Sequence, residues 1–250
     1  MAFPLTNWTQ LADATLDGDE GGRRALDAMC ETYRRPVMVY LTARGLGQDE
    51  VEDVTQDFFL KLVGSRVWKR ADPSKGRFRT FLLTILNHLV LHGVRDQHRQ
   101  KRGGGVLPVS LDLLAEDGVE FAGDAVVVSD VFDREWALTL VADAVAGVEA
   151  EFAQRGQARE FALLRRFLPG AKQPLAYEDA ALELGLSLTA LKAAVHRLRQ
   201  HFRAVLRAAV ARTVSAPHEV DEELRYLGTL LIGARDHAQP SAHNGKDVMR

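Results

Sequence analysis

The sequence predicts an all-α protein made of two helical domains joined by an acidic, flexible linker, and three observations lead to that expectation. Apolar residues recur at spacings of three and four along most of the chain, the period of a helix with one buried face; only a short Val126, Val127, Val128 run suggests anything else. Glycine and proline clusters cut these periodic stretches into helix-sized pieces. Between residues 103 and 133 the composition changes: three glycines open the segment, it holds no Lys or Arg, and seven acids are spread along it, as expected of a solvated tether. The expected division is therefore a first domain at 1–102, a linker at 103–133, a second domain at 134–212, and a C-terminal extension at 213–250.

In the first domain the periodicity predicts a short helix at 8–16 and longer ones at 22–44, 48–63 and 78–102. Gly45 and Gly47 separate the first two long helices, and the ADPSKG stretch, with Pro73 and Gly76, separates the next pair. In the second domain helices are expected at 135–147, 149–167, 177–184 and 189–212. A last helix near 219–231 leads into a polar tail from Gly233 that reads as disordered.

With 250 residues and 46% hydrophobic composition the chain can bury one sizeable core or two small ones. Its 32 Lys and Arg against 34 Asp and Glu leave a net charge of -2, so total charge argues neither for nor against nucleic acid, and distribution has to decide. A single cysteine, Cys30, excludes an internal disulfide and a cysteine-rich zinc site, and reads as a small apolar residue. The longest apolar run, at 81–91, contains Asn87 and His88 and falls short of the roughly 20 residues of a membrane span. The first residues show no basic stretch followed by an apolar one, so a cytoplasmic protein without membrane insertion is expected.

The strongest local signal lies at 177–207, where two helical patterns are broken by Gly185 and Ser187 is placed to cap the second. This is the pattern of a helix-turn-helix. In its second helix Leu188, Leu191, Val195, Leu198, Phe202 and Val205 form one apolar face. Lys192, His196, Arg199 and Arg203 line another, with Arg197 and Arg207 adjacent and no acid between Lys192 and Arg212. A solvated face normally mixes signs, so this one suits a DNA groove. Thr189, Lys192, Ala193 and His196 are placed for base edges, and Arg197, Arg199 and Arg203 for phosphates.

The stretch at 78–102 begins largely apolar and ends cationic. Phe78 and Phe81 stand among Arg77, Arg79 and Thr80, a mixture that suits single-stranded nucleic acid through stacking and backbone contacts; the same spacing equally describes core residues. Asn87 is a candidate reader of an unpaired base edge. At 49–62, Val51, Val54, Phe58 and Leu62 form a buried stripe, while Asp49, Glu52, Asp53 and Gln56 lie opposite. Grouped carboxylates can bind Mg²⁺ or meet a basic protein; on an outward face, protein contact or solvation is the better expectation. His88 and His92 share zinc-ligand spacing but have no evident third ligand. With no glycine-rich phosphate loop and no nucleophile and base set, neither a cofactor, a metal nor catalysis is expected.

Taken in order, EVEDVTQDFFLKL, DPSKGRFRTFLLTILNHLVLHGVRDQHRQKR and YEDAALELGLSLTALKAAVHRLRQ resemble the segments of a bacterial RNA polymerase sigma factor of the extracytoplasmic function (ECF) group, over about residues 5–102 and 134–210. The resemblance implies a sigma-2-like bundle followed by a sigma-4-like helix-turn-helix domain. It implies that Asp49, Glu50, Glu52, Asp53, Gln56 and Asp57 face the basic coiled coil of the polymerase beta-prime clamp, with the beta flap as a further polymerase contact. It places Arg77, Phe78, Arg79, Phe81, Asn87, Arg95, Arg99, Lys101 and Arg102 on the melted minus-ten element of promoter DNA. Ser187, Thr189, Lys192, Ala193, His196, Arg197, Arg199 and Arg203 would read the minus-thirty-five element.

The chain departs from the family at several points. Phe81 stands where a Trp is common, the stretch at 136–169 is longer than usual, and PHEVDEELRYLGTLL follows the helix-turn-helix. Such additions imply control different from the usual membrane anti-sigma factor, and Thr55 within the acidic helix is a candidate phosphorylation site for a Ser/Thr kinase. Two rivals explain fewer elements: a helix-turn-helix repressor or activator with an N-terminal sensing or dimerisation domain, and a Mg²⁺-dependent nucleic-acid enzyme using Asp49, Glu52 and Asp53.

Overall fold

The computed structural model describes residues 20–71, 77–100, 123–171, 175–214 and 216–236, and among them it is helical, without a strand. Eight α-helices follow in order: α1 (Glu20–Ala43), α2 (Gln48–Gly64), α3 (Phe78–Gln100), α4 (Gly123–Gln154), α5 (Ala158–Leu164), α6 (Tyr177–Leu184), α7 (Leu188–Ala211) and α8 (Val220–Asp236). The helix expected at 8–16 and the segment at 101–122 lie outside the described residues. None of the described helices is long and apolar enough to cross a membrane.

Two apolar clusters hold these helices. The first takes Met29, Tyr33, Val37, Tyr40 and Leu41 from α1, Val51, Phe58 and Leu62 from α2, and Phe78, Leu82, Ile85 and Leu86 from α3. The spacing of three and four in each set is what turns one face of each helix inward. Helix α1 runs on through Pro36, whose missing N–H removes only the bond to the Thr32 carbonyl. Cys30, partly buried beside this cluster, has its thiol pushed up to about 11 by burial, which keeps it protonated and unreactive. The second cluster joins Phe161, Leu164, Phe167 and Leu168 to Ala180 and Ala181 of α6 and to Leu191, Ala194, Val195, Leu198 and Phe202 of α7.

Helix α4 belongs to both. Phe132, Trp136, Ala137 and Leu140 enter the first cluster, and Ala144, Val145 and Val148 enter the second. Helix α7 does the same further along, since Ala209 and Val210 reach the first cluster, where Val220 and Leu227 of α8 complete it. The expected break at Gly147 is absent. A Cβ there would sit 3.8 Å from Val205 Cγ1 of α7, so Gly147 lies inside a continuous helix where α4 passes α7. The turn comes later, at Gly156, which adopts φ 74.

Two further boundaries need correction. The expected linker runs to residue 133, but α4 starts at Gly123 and includes the Val126–Val128 run. Phe132 is fully buried, stacked on Tyr33 (centroids 6.4 Å) and edge-on to Tyr40 (6.2 Å). Composition describes a tether there because the segment lacks cations and its acids read as solvated, whereas Asp133 is buried against Arg79 of α3. At the other end, the tail expected from Gly233 begins instead as helix, up to Asp236. Replacing Phe132 with Ala is expected to lower unfolding free energy in urea by about 3–5 kcal/mol, as for a core aromatic. A residue in a solvated tether would change it by no more than about 0.5 kcal/mol.

Candidate nucleic-acid and protein interfaces

The acidic face of α2 forms as the periodicity expects. Val51, Phe58 and Leu62 point into the first cluster, with Val54 partly buried, while Asp49, Glu50, Glu52, Asp53 and Gln56 are exposed. Asp57 is half-buried and pairs with Lys61 at 2.6 Å, and Glu52 lies 3.9 Å from Arg34 of α1. Sequence reasoning missed Leu60, which is 71% exposed one turn beyond Gln56. It adds an apolar contact to a charged face, a combination that suits a protein partner better than water. The signal was the FFLKL run, which holds more apolar residues than one stripe can bury. Among the described residues no group of three or more His, Cys, Asp or Glu side chains could hold a metal ion.

Thr55 requires a correction. It sits on the inward stripe with Val51 and Phe58, fully buried, and its hydroxyl has no hydrogen-bond partner. A kinase cannot reach that oxygen while α2 is packed.

The helix-turn-helix is built by α6 and α7. Gly185 takes the left-handed conformation (φ 65) that closes α6, and the Leu186 N–H donates to the Ala181 carbonyl at 2.9 Å, satisfying an end carbonyl. Ser187 Oγ accepts from the Ala190 N–H at 3.2 Å and caps α7. With Leu191, Val195 and Leu198 buried, Thr189, Lys192, Ala193 and His196 are left exposed on the first turns, and Arg197 and Arg203 are exposed beyond them.

The remaining Arg and His side chains of α7 are engaged within the fold. Arg199 Nε donates to the Phe167 carbonyl at 3.1 Å, tying α7 to the 3-10 turn at Arg165–Phe167. Arg207 pairs with Asp221 of α8 through both guanidinium nitrogens. That hydrogen bonding raises the arginine and holds the aspartate below its ordinary value. His201 lies 2.8 Å from Glu151 of α4.

The start of α3 differs most from expectation. Phe78 is buried against Tyr33 (5.8 Å), with Phe81 partly buried beside it (6.0 Å). Arg79 is 2% exposed. Its guanidinium donates to Asp133 of α4 at 3.0 Å and to Glu223 of α8, and lies 4.5 Å from the Trp136 ring centroid. Burial alone would pull Arg79 down, but Asp133 and Glu223 together hold it above its ordinary value. Arg77, half-buried, reaches Glu223 at 2.8 Å. Asn87 is also internal, its Oδ1 accepting from Tyr40 (3.2 Å) and Arg44 (3.0 Å).

As exposed DNA contacts Phe78, Arg79 and Asn87 are thus corrected for this arrangement. The partners that bury Arg79 come from positions 133 and 223, which no local pattern connects to position 79. The backbone of Arg95 and Arg99 lies in the last turns of α3; their side chains, and the whole of Lys101 and Arg102, fall outside the described residues.

Residues 29–100, a little under a third of the chain, match the family described as sigma-70 region 2. Over those residues the chain is similar to a sigma-70 region 2, and that stretch is called region 2. The matched stretch begins inside α1 and ends with α3, so it contains both the acidic α2 face and the Arg77–Arg79 corner. No curated protein and no solved structure matches the chain. A sigma region of this family serves RNA polymerase in promoter recognition, and in this chain a helix-turn-helix follows it.

Three outcomes are expected from this geometry. Thr55→Val removes a buried hydroxyl without a partner, so urea unfolding should show stability unchanged or raised by up to about 1 kcal/mol. Arg203→Ala should weaken binding to duplex DNA uniformly across sequences and lower the salt slope by about 1 in fluorescence anisotropy titrations. Arg199→Ala should in addition lower the melting temperature, because it frees the Phe167 carbonyl.

Proposed function

We propose that the protein is a sigma factor of the ECF group, which binds core RNA polymerase, directs it to specific promoters and opens them. The observation that carries this reading is one of order: a sigma-70 region 2 precedes, in the same chain, a helix-turn-helix whose first turns are exposed. Helix α2 would seat the chain on the beta-prime clamp through Asp49, Glu50, Glu52, Asp53 and Gln56, with Leu60 adding apolar area at the same contact. Helix α7 would hold the upstream duplex, with Thr189, Lys192, Ala193 and His196 at base edges and Arg197 and Arg203 on phosphates. The melted strand would follow the start and the cationic end of α3. Joining two modest DNA contacts on one polymerase makes the second effectively intramolecular, so neither has to be tight alone. Thr55 has no place as a phosphorylation switch in this scheme.

Purified chain mixed with core polymerase and a genomic fragment library should co-purify with the enzyme and yield defined start sites. Reversing charge at Glu52 and Asp53 together (Glu52→Lys, Asp53→Lys) should reduce core binding by at least about tenfold, while duplex binding by α7 is retained. A chain that binds duplex DNA but never retains core polymerase would be a helix-turn-helix regulator instead.

A further inference from the structure

The two cations that open region 2's third helix are both held by one carboxylate from beyond the helix-turn-helix. Glu223 of α8 is fully buried and faces Arg77 at Oε2 and Arg79 at Oε1. Tyr226, one turn on, donates to Asp133 at 2.6 Å, and its ring lies 5.4 Å from Arg77 and 5.5 Å from Arg79. The first turn of α8 carries Asp221, Glu222 and Glu223, an acidic end laid on a basic corner. A carboxylate that engages two guanidinium groups occupies the kind of place a phosphate takes.

We propose that α8 is an internal cover, its Glu223 standing in for a nucleic-acid phosphate at Arg77 and Arg79, and that it leaves this corner when the promoter opens. This rests on the sigma-factor reading above. The packing of α8 is compatible with release. Among its described side chains Val220 and Leu227 are the buried apolar residues, with Leu224, Tyr226, Leu230 and Leu231 partly covered. Beyond Glu223 it is tied by the part-buried Tyr226–Asp133 hydrogen bond and by Arg207 to Asp221, which is exposed and therefore weak.

The buried cluster is also incompletely satisfied, since Arg79 Nη2 has no hydrogen-bond partner. Opening returns that donor and the Glu223 carboxylate to water, which offsets part of the pairing lost. Departure of α8 need not orphan Arg79, because Asp133 of α4 still faces it. Cover and corner share one chain, so a melted strand competes against a high local concentration of Glu223, and the cover sets a threshold for opening.

The test uses the full chain with core polymerase and a fork-junction fragment of a promoter mapped by transcription, in which the minus-ten strand is already unpaired. Amide hydrogen exchange should show residues 220–231 protected in the free chain and exchanging at least about tenfold faster in the fork complex. Glu223→Gln should speed that exchange in the free chain and lower the fork concentration needed for half-saturation several-fold. Asp221→Asn, at an exposed position, should move both quantities in the same direction by less, and serves if Glu223→Gln folds poorly. Unchanged protection of α8 in the fork complex, or fork affinity unaltered or weakened in both variants, overturns the cover. A wild-type chain that fails to bind core polymerase or to start transcripts overturns the sigma-factor reading instead.

Discussion

Helix α4 has to serve two cores, and the other helices arrange themselves around that requirement. Phe132, Trp136, Leu140, Ala144 and Val148 follow one another every four residues. On a helix of 3.6 residues per turn such a row drifts by about 40° per step, or about 160° from first to last. One row of apolar side chains therefore faces one way where it begins and nearly the opposite way where it ends. The 32-residue helix is about 48 Å long. Region 2 packs on its first half and the helix-turn-helix on its second, with Gly147 beside Val205 of α7 near the change of side. An unbroken helix fixes a spacing that a loose tether would leave to chance.

The charged corner adds a second constraint. A guanidinium that is 2% exposed is tolerable only when paired, since desolvating an ion costs several kcal/mol. Arg79 finds two carboxylates and two aromatic faces, and those partners belong to α4 and α8. Burial of one side chain thus selects the relative placement of three helices. The Tyr226 hydroxyl, raised by burial and by its bond to Asp133, stays protonated as the donor that keeps Asp133 oriented.

Much of this was legible where the information is local. The helices of region 2 fall within a few residues of their periodic patterns, and the helix-turn-helix follows from Gly185, Ser187 and the apolar stripe of α7, whose opposite face is left to solvent. Contact information that is not local was out of reach. Phe132 reads as tether because its neighbours are acidic, yet it packs on Tyr33 and Tyr40 nearly a hundred positions earlier. Gly147 reads as a breaker, although a lone glycine is tolerated inside a helix that packing on two cores holds together. Phe78 and Phe81 fit a stacking platform and a core equally well on spacing alone, and only the position of Tyr33 decides for Phe78. Arg79 and Asn87 carry the chemistry of nucleic-acid contacts, but side chains of that kind also satisfy buried partners, and a sequence does not say which.

The near-neutral charge of the chain takes on meaning in this light. Cations at the start of α3 and near the end of α7 are matched by carboxylates of α4 and α8: Arg79 by Asp133, Arg77 and Arg79 by Glu223, Arg207 by Asp221. Lys192, Arg197 and Arg203, by contrast, stand exposed on α7. Among the described side chains α7 thus presents an exposed positive face, while the Arg77–Arg79 corner is neutralised from within. The proposed release of α8 would alter no charge in the molecule, yet it would uncover positive potential at Arg77 and Arg79. Where the carboxylates sit therefore decides which cations a chain of net charge -2 presents to an anionic partner.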